Sequence, residues 1–126
     1  MVKAAAILFG IVFLAVGILG FVPACTSNEM LLGIFHVNTA HNFVHLASGV
    51  VFLLVGMAGA GPSRTFFKIF GIVYALVAAL GFYYGDNPIL GIVSNNTPDI
   101  WLHVVLAVVM LYFGFMAKDS SAPANV

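Results

Sequence analysis

Histidines are the residues of this chain whose type and spacing best suit chemistry: His36, His41, His45 and His103. His41 and His45 are four positions apart, so on a helix they share one face and can hold a metal ion between them. His36, His103 or Asp99 would complete a ligand shell of the kind that Zn or Cu takes. Because a His-x-x-x-His pair also arises by chance, other roles must be weighed against this one.

Two further chemical roles and one structural role compete with a metal site. His45 and His103 could ligate a haem b axially between two helices, or the same pair could serve a proton or quinone path. We expect a structural role, with no cofactor, in which the histidines exchange hydrogen bonds with amide side chains and backbone carbonyls, because buried polar groups need partners. The residues of this structural polar cluster are Asn38, Asn42, Asn96 and Asp99.

The composition predicts that these residues are held by transmembrane helices. The chain has 126 residues, of which 63% are hydrophobic and 6% are charged. Apolar windows of roughly 20 residues, enough to cross a bilayer, occupy residues 4–22, 40–58, 65–84 and 99–117. A net charge of zero without a basic run excludes nucleic acid as a partner. The lipid bilayer is the expected surrounding.

The positive charges predict the orientation in the membrane. Lys3, Arg64, Lys68 and Lys118 flank helix ends that share one side if all four windows span. The positive-inside bias makes that side cytoplasmic, so both termini are expected there. We expect the first window to be retained, although residues 22–25 resemble a lipoprotein cleavage site, because a close copy of the window occurs in mid-chain. Cys25 is then a free thiol or forms an intermolecular link.

The two halves of the chain repeat each other. Residues 8–21 align with 69–82, and residues 32–46 align with 90–104. Each copy contains two spans, so both copies enter the membrane in the same orientation. We predict an all-α fold, an integral membrane four-helix bundle built from a duplicated transmembrane hairpin with parallel pseudo-twofold symmetry. The predicted units are a single domain at residues 1–119, repeats at 4–58 and 65–117, and a mobile cytoplasmic tail at 120–126.

Small residues predict where the helices touch, because helices in lipid associate by close backbone approach. The glycines expected at these contacts are Gly10, Gly17, Gly49, Gly56, Gly71, Gly81 and Gly114. Thr97 is the expected N-cap of the fourth helix, with Pro98 at its first position. A tight turn is expected at residues 59–63, and the apolar connections on the other side should lie in the interface or fold back over the bundle mouth.

Three segments carry a family resemblance: "FGIVFLAVGILGFVP", "LLGIFHVNTAHNFVHLASGV" with an N-x3-N-x2-H-x3-G pattern, and "NTPDIWLH". With them the chain resembles small four-helix bacterial membrane proteins grouped as a domain of unknown function. The resemblance implies the fold and a location in the bacterial cytoplasmic (inner) membrane, and it implies no catalytic residues. In the second copy, Ile100 stands for Asn42 and Ala107 for Gly49.

The sequence contains no catalytic signature. A Ser-His-Asp or Cys-His-Asn arrangement, a glycine-rich phosphate loop and a Cys-x-x-Cys pair are not found. We therefore predict a non-enzymatic accessory or scaffold subunit that associates with itself or with a larger membrane complex. The alternative is a metal-binding or haem-binding membrane protein that uses His41, His45 and His103.

Overall fold

Four long helices make up most of the chain in the computed structural model, which describes residues 1–118. They are α1 (Val2–Leu19), α2 (Thr39–Ala58), α3 (Ala60–Tyr84) and α4 (Thr97–Leu111), and the last continues into a π-helical turn at Tyr112–Met116. Each of the four is long and apolar enough to cross a membrane. The predicted spans are therefore found, whereas the tail predicted at residues 120–126 lies outside the described residues.

The outward-facing side chains of the helices are apolar. Leu8, Leu54, Leu76 and Val108, one from each helix, are all more than half exposed. Soluble monomers rarely expose large contiguous apolar patches, whereas lipid tails are as apolar as leucine itself. Together with the lengths of the helices, this surface indicates a multi-pass membrane protein.

The helices touch at glycines. α1 packs mainly against α2, and α3 packs mainly against α4. A Cβ atom added to Gly10 would overlap Leu53, and one added to Gly49 would overlap Leu14. The other glycines expected at contacts also face a neighbouring helix without room for a side chain: Gly17, Gly56, Gly71, Gly81 and Gly114. Such close backbone approach is the usual way in which helices associate in lipid.

Aromatic side chains fill the centre between the helices. Phe13 of α1 stacks on Phe52 of α2, with ring centroids 5.7 Å apart. Phe67 of α3 stacks on Phe113, with centroids 5.3 Å apart. Phe52, Phe67 and Met110 have no exposed surface. This apolar centre separates the two ends of the helices, which differ in chemistry.

We name the two ends of the helices after the side chains that they carry. The histidine end is where α2 and α4 begin. The basic end is the opposite one, and it carries Lys3, Arg64, Lys68 and Lys118.

At the basic end, α2 and α3 are joined by one residue, Gly59, whose φ of +130° suits glycine. The expected turn at residues 59–63 is therefore shorter than predicted, because α3 already begins at Ala60. Pro62 is compatible with this early start, since the first helical turn leaves its backbone N–H groups without intrahelical partners. The Ser63 hydroxyl, which lies 2.7 Å from the Gly59 carbonyl and 3.0 Å from the Val55 carbonyl, closes the corner.

At the histidine end, both connections fold back over the helices. The first forms a small antiparallel sheet in the order β1-β2-β3, with strands at Thr26–Ser27, Met30–Leu31 and Phe35–His36. The second is closed by a bridge between Ile89 and Val93. Leu31, Val37 and Ile89 are buried. The prediction of an all-α chain thus holds for the spans. It does not hold for the first connection, whose backbone groups pair as strands.

Candidate metal centre

Two asparagines set the first turns of the helices that carry the histidines. The Asn38 side chain accepts a hydrogen bond from the His41 backbone N–H at 2.9 Å, and the Asn96 side chain accepts one from the Asp99 N–H at 3.2 Å. The N-cap of α4 is therefore Asn96, and the prediction of Thr97 is wrong by one residue. Asn caps a helix at least as well as Thr, and from this position its side chain reaches the third backbone N–H.

The same asparagines tie each connection to the other helix. The Asn38 amide donates to the Ile92 carbonyl at 2.9 Å, and the Asn96 amide donates to the Ile34 carbonyl at 3.0 Å. Each cap thus bonds the connection that precedes the other capped helix. The beginnings of α2 and α4 are held side by side, which brings their first two turns together.

Three buried histidines meet where these turns face each other. His41 and His45 come from α2 and His103 comes from α4, and one ring nitrogen from each lies within 4.8 Å of the others. Their exposed fractions are 2%, 7% and 5%. Three imidazoles that converge in a buried space form a ligand set that transition metals accept.

Asp99 lies beside this histidine cluster. Its Oδ2 is 3.6 Å from His41 Nδ1, and its Oδ1 is 3.8 Å from His103 Nε2. Both distances exceed those of hydrogen bonds. The carboxylate is 1% exposed and belongs to the first turn of α4, where the helix dipole favours negative charge.

Several buried polar atoms of this region have no hydrogen-bond partner among the described residues. They include His45 Nδ1, His103 Nδ1 and Asp99 Oδ2. Buried polar groups in proteins are nearly always hydrogen-bonded. The expected exchange of hydrogen bonds between the histidines and Asn38 or Asn96 is not found in this part of the chain, because both asparagines bond backbone groups instead.

Two of the candidate residues lie away from the three histidines. His36 is on β3, where its Nε2 is 3.9 Å from Glu29 Oε2, and it is not part of the converging group. Asn42 is buried on α2, and its side chain fills the space beside Gly20, the residue that follows α1. The converging group therefore contains His41, His45 and His103, with Asp99 next to two of its rings and His36 apart from it.

Ser94 also belongs to this region, although it was not among the candidate residues. Its hydroxyl donates to the His36 carbonyl at 3.0 Å and lies 3.5 Å from His41 Nδ1. Its neighbour Asn95 is fully buried and donates to the Gly85 carbonyl at 2.6 Å, which secures the end of α3. The available signal was a pair of polar residues at the end of an apolar connection, directly before the Asn96 cap.

Aromatic rings separate the cluster from the centre of the molecule. The His45 ring centroid is 5.6 Å from that of Phe13, and the His103 centroid is 5.4 Å from that of Tyr74. These contacts restrict the rotation of both imidazoles.

Four apolar helices of spanning length and a buried set of imidazoles at one end define a multi-pass membrane protein with a polar cluster at that end. Residues 3–116 match the family described as Domain of unknown function (DUF4383), and the chain belongs to this family. The family resemblance inferred from the sequence segments is thereby confirmed. Among curated proteins and among solved structures, no match is found. The family description assigns no activity, so the function must be argued from the site.

Proposed function

We propose that this protein binds one transition-metal ion, Zn²⁺ or a copper ion, between α2 and α4. The ligands are His41, His45 and His103, with Asp99 as the fourth. The observation that carries the proposal is the convergence of three buried imidazoles, two of which have an Nδ1 atom without a hydrogen-bond partner among the described residues.

The distances in the cluster suit a four-coordinate ion. With Zn–N bonds near 2.0–2.1 Å, the ligand atoms of a tetrahedral site are about 3.4 Å apart. The separations of 3.6 Å and 3.8 Å between Asp99 and two imidazole nitrogens are close to this value. The third imidazole, His45, has a ring nitrogen within 4.8 Å of the other two. An ion at its Nδ1 would provide the partner that this buried atom lacks.

A closed shell of four protein ligands is typical of a structural metal. The ion would join α2 to α4 across the histidine end and add to the bonds of Asn38 and Asn96. This role agrees with the expected accessory or scaffold subunit, which would associate with itself or with a larger membrane complex. We keep that assembly role as part of the proposal, without an enzymatic activity.

The geometry favours an ion over haem. The His41 ring centroid is 4.5 Å from that of His45 and 6.2 Å from that of His103. A porphyrin held between His45 and His103 would need a wide flat slot beside both rings, and His41 stands in that space. A single ion, in contrast, uses the third imidazole.

We also propose that the fold is a single domain formed by a parallel duplicated hairpin. The supporting observation is the reciprocal pair of bonds in which Asn38 reaches Ile92 and Asn96 reaches Ile34, since these residues occupy corresponding positions in the two aligned segments. The positive-inside bias supports a cytoplasmic basic end with both termini inside, and the expected location is a bacterial inner membrane.

Metal analysis of the full-length protein in mild detergent tests the metal site. The purified chain is incubated with Zn²⁺ or Cu²⁺, passed over a desalting column and assayed by inductively coupled plasma mass spectrometry. We expect about one tightly held ion per chain. The variants His41→Gln and His103→Gln should lose it.

His36→Gln is the matched control, because His36 lies at the same end but outside the converging group. It should retain the ion. Equal metal content in the His103→Gln variant and the unmodified protein, or no ion in any of them, would overturn the proposal. Substitution with Co²⁺ adds a spectroscopic readout, since a four-coordinate ion gives intense visible bands that His36→Gln should leave unchanged.

A further inference from the structure

A cavity of about 310 Å³ lies beside the histidine cluster, between α1 and α4. This volume is at the lower end of the roughly 300–1,000 Å³ found for small-molecule sites. Phe9 and Phe13 of α1 line one side, Leu106 of α4 lines the other, and Phe35 of β3 also contributes. Among the described lining residues, His45 alone is polar.

The cavity opens towards lipid. Leu8 and Val12 line it and are 60% and 51% exposed, and both belong to the middle of the α1 span. Since the outer face of a span contacts hydrocarbon, a ligand would enter sideways from the bilayer. It must therefore be a molecule that dissolves in lipid.

His45 determines which polar group the ligand carries. Its side chain is more than nine-tenths buried and is the polar one among the described lining residues. Its Nδ1 has no accessible surface and is closed off from the cavity, so Nε2 is the nitrogen that can face a ligand. A neutral imidazole has one N–H donor whether or not its other nitrogen binds a metal. The cavity thus offers one hydrogen bond in an otherwise apolar space, and its three phenylalanine rings suit a flat ring.

We propose that this cavity binds a membrane-dissolved quinone. The quinone ring lies among the phenylalanines, one ring carbonyl accepts a hydrogen bond from His45, and the isoprenoid tail leaves between α1 and α4 into the lipid. Binding of this ligand goes beyond the metal site. The two sites share His45, whose two ring nitrogens can serve one site each, whereas Val12 and Leu106 line the cavity without belonging to the metal ligands.

A phospholipid acyl chain suits the site less well. It would fill the apolar part but would leave His45 without a partner, because the ester carbonyls of a lipid stay at the interface. His45 is seven residues beyond the Asn38 cap, which places it about 10 Å along the helix. A quinone carries its carbonyl on a ring that can lie at this depth.

Photolabelling of the full-length protein in phospholipid nanodiscs tests the proposal. The probe is a decyl-tailed benzoquinone that carries an azide, and labelled peptides are mapped by mass spectrometry. We expect saturable labelling of α1 and α4 around Val12 and Leu106, which an excess of the azide-free quinone abolishes. Because phospholipid is always in excess, competition by the quinone separates it from acyl chains.

Two substitutions to phenylalanine provide the comparison. Val12→Phe fills the cavity and should reduce labelling to background, whereas Ile11→Phe places the same ring at its exposed neighbour and should leave labelling unchanged. Leu106→Phe is a second cavity-filling variant in case the first does not fold. His45→Leu should raise the half-saturating concentration by about tenfold, the effect of one hydrogen bond.

Labelling that rises linearly with the probe and is equal in Val12→Phe and Ile11→Phe would overturn the proposal, since it would reflect partition into lipid only. The experiment is repeated on His41→Gln protein in the presence of a chelator. Persistent saturable labelling there would show that the quinone site does not need the ion. The metal centre is refuted separately, if the unmodified protein binds no ion.

Discussion

The histidine end and the basic end of this protein join the same helices by opposite means. At the basic end the helices meet through apolar and small residues: Val2, Ala6, Ser63 and Phe67 have no exposed surface, and Gly114 lies directly against the backbone of Lys68. At the histidine end, polar side chains occupy the same kind of buried space, and some of their atoms lack a hydrogen-bond partner among the described residues.

This difference indicates that the buried histidines are not needed for helix packing as such. None of the four fully buried residues just named at the basic end is ionisable. The histidine end, in contrast, carries the cost of desolvating three imidazoles and a carboxylate. Ionisable groups placed inside a membrane protein mark functional sites by default. A bound metal ion would offset this cost at one end only.

Metal removal should therefore have the largest effect, and it should act through the histidine end. An ion at 1,000 times its dissociation constant adds about 4 kcal/mol to the free energy of unfolding. A chelator should lower the melting temperature of the metal-loaded protein and of His36→Gln, measured by circular dichroism in detergent. It should not affect His103→Gln, whose melting temperature should already be low. A chelator effect of equal size in His103→Gln would contradict this account.

Gly114→Ala tests the packing of the basic end. The new Cβ would meet the backbone of Lys68 within 3 Å, and backbone cannot rotate away. We expect the free energy of unfolding to fall by about 2–3 kcal/mol, as in other overpacked cores. Gly61→Ala at the same end is the control, because its Cβ would meet open space, and Ala favours helix by up to about 1 kcal/mol over Gly. If both variants had equal stability, the close packing would be disproved.

The asparagine caps allow a finer comparison within the histidine end. Asn38→Ala removes both the cap and the bond to Ile92, so it should cost about 2 kcal/mol. Asn38→Ser keeps the cap but is too short to reach Ile92, so it should cost about 1 kcal/mol. Chemical denaturation at constant metal concentration gives both values. No loss in Asn38→Ser would show that the bond to the other connection contributes nothing, and equal losses in the two variants would show the same of the cap.

The smallest expected effect concerns the corner at the basic end. Ser63→Ala removes the hydroxyl that lies against the carbonyls of Val55 and Gly59, and a typical net hydrogen bond contributes about 1 kcal/mol. The loss should be independent of metal, unlike the losses at the histidine end. A chelator-dependent change in this variant would mean that the two ends are coupled through the helices.

The sequence predicted the spans well because hydropathy is a property of contiguous residues. Its errors lie where local rules compete. Asn96 and Thr97 are both good caps. Asn96 is the actual cap, and its side-chain amide also reaches the Ile34 carbonyl. The early start of α3 at Ala60 was missed because Gly61 and Pro62 are typical of turns, although both fit the first turn of a helix.

The residue types of the site were predictable from the sequence, but which of the candidate residues converge was not. The apolar windows and the positions of the histidines indicated that His41, His45 and His103 share one end. His36 was an equal candidate in the sequence, and only the small sheet of the first connection moves it towards Glu29 and away from the others. Ser94 carried no motif, because its place beside His41 depends on the fold of the second connection.

The sequence by itself determined four apolar helices, a polar end and a basic end, since each follows from residues that are neighbours in the chain. The tertiary structure decided which histidines meet, which asparagine bonds which connection, and that a cavity remains between α1 and α4 beside His45. These features join residues that are far apart in sequence. They depend on how closely the glycines allow the helices to approach, and that distance is set by the packing of the whole molecule.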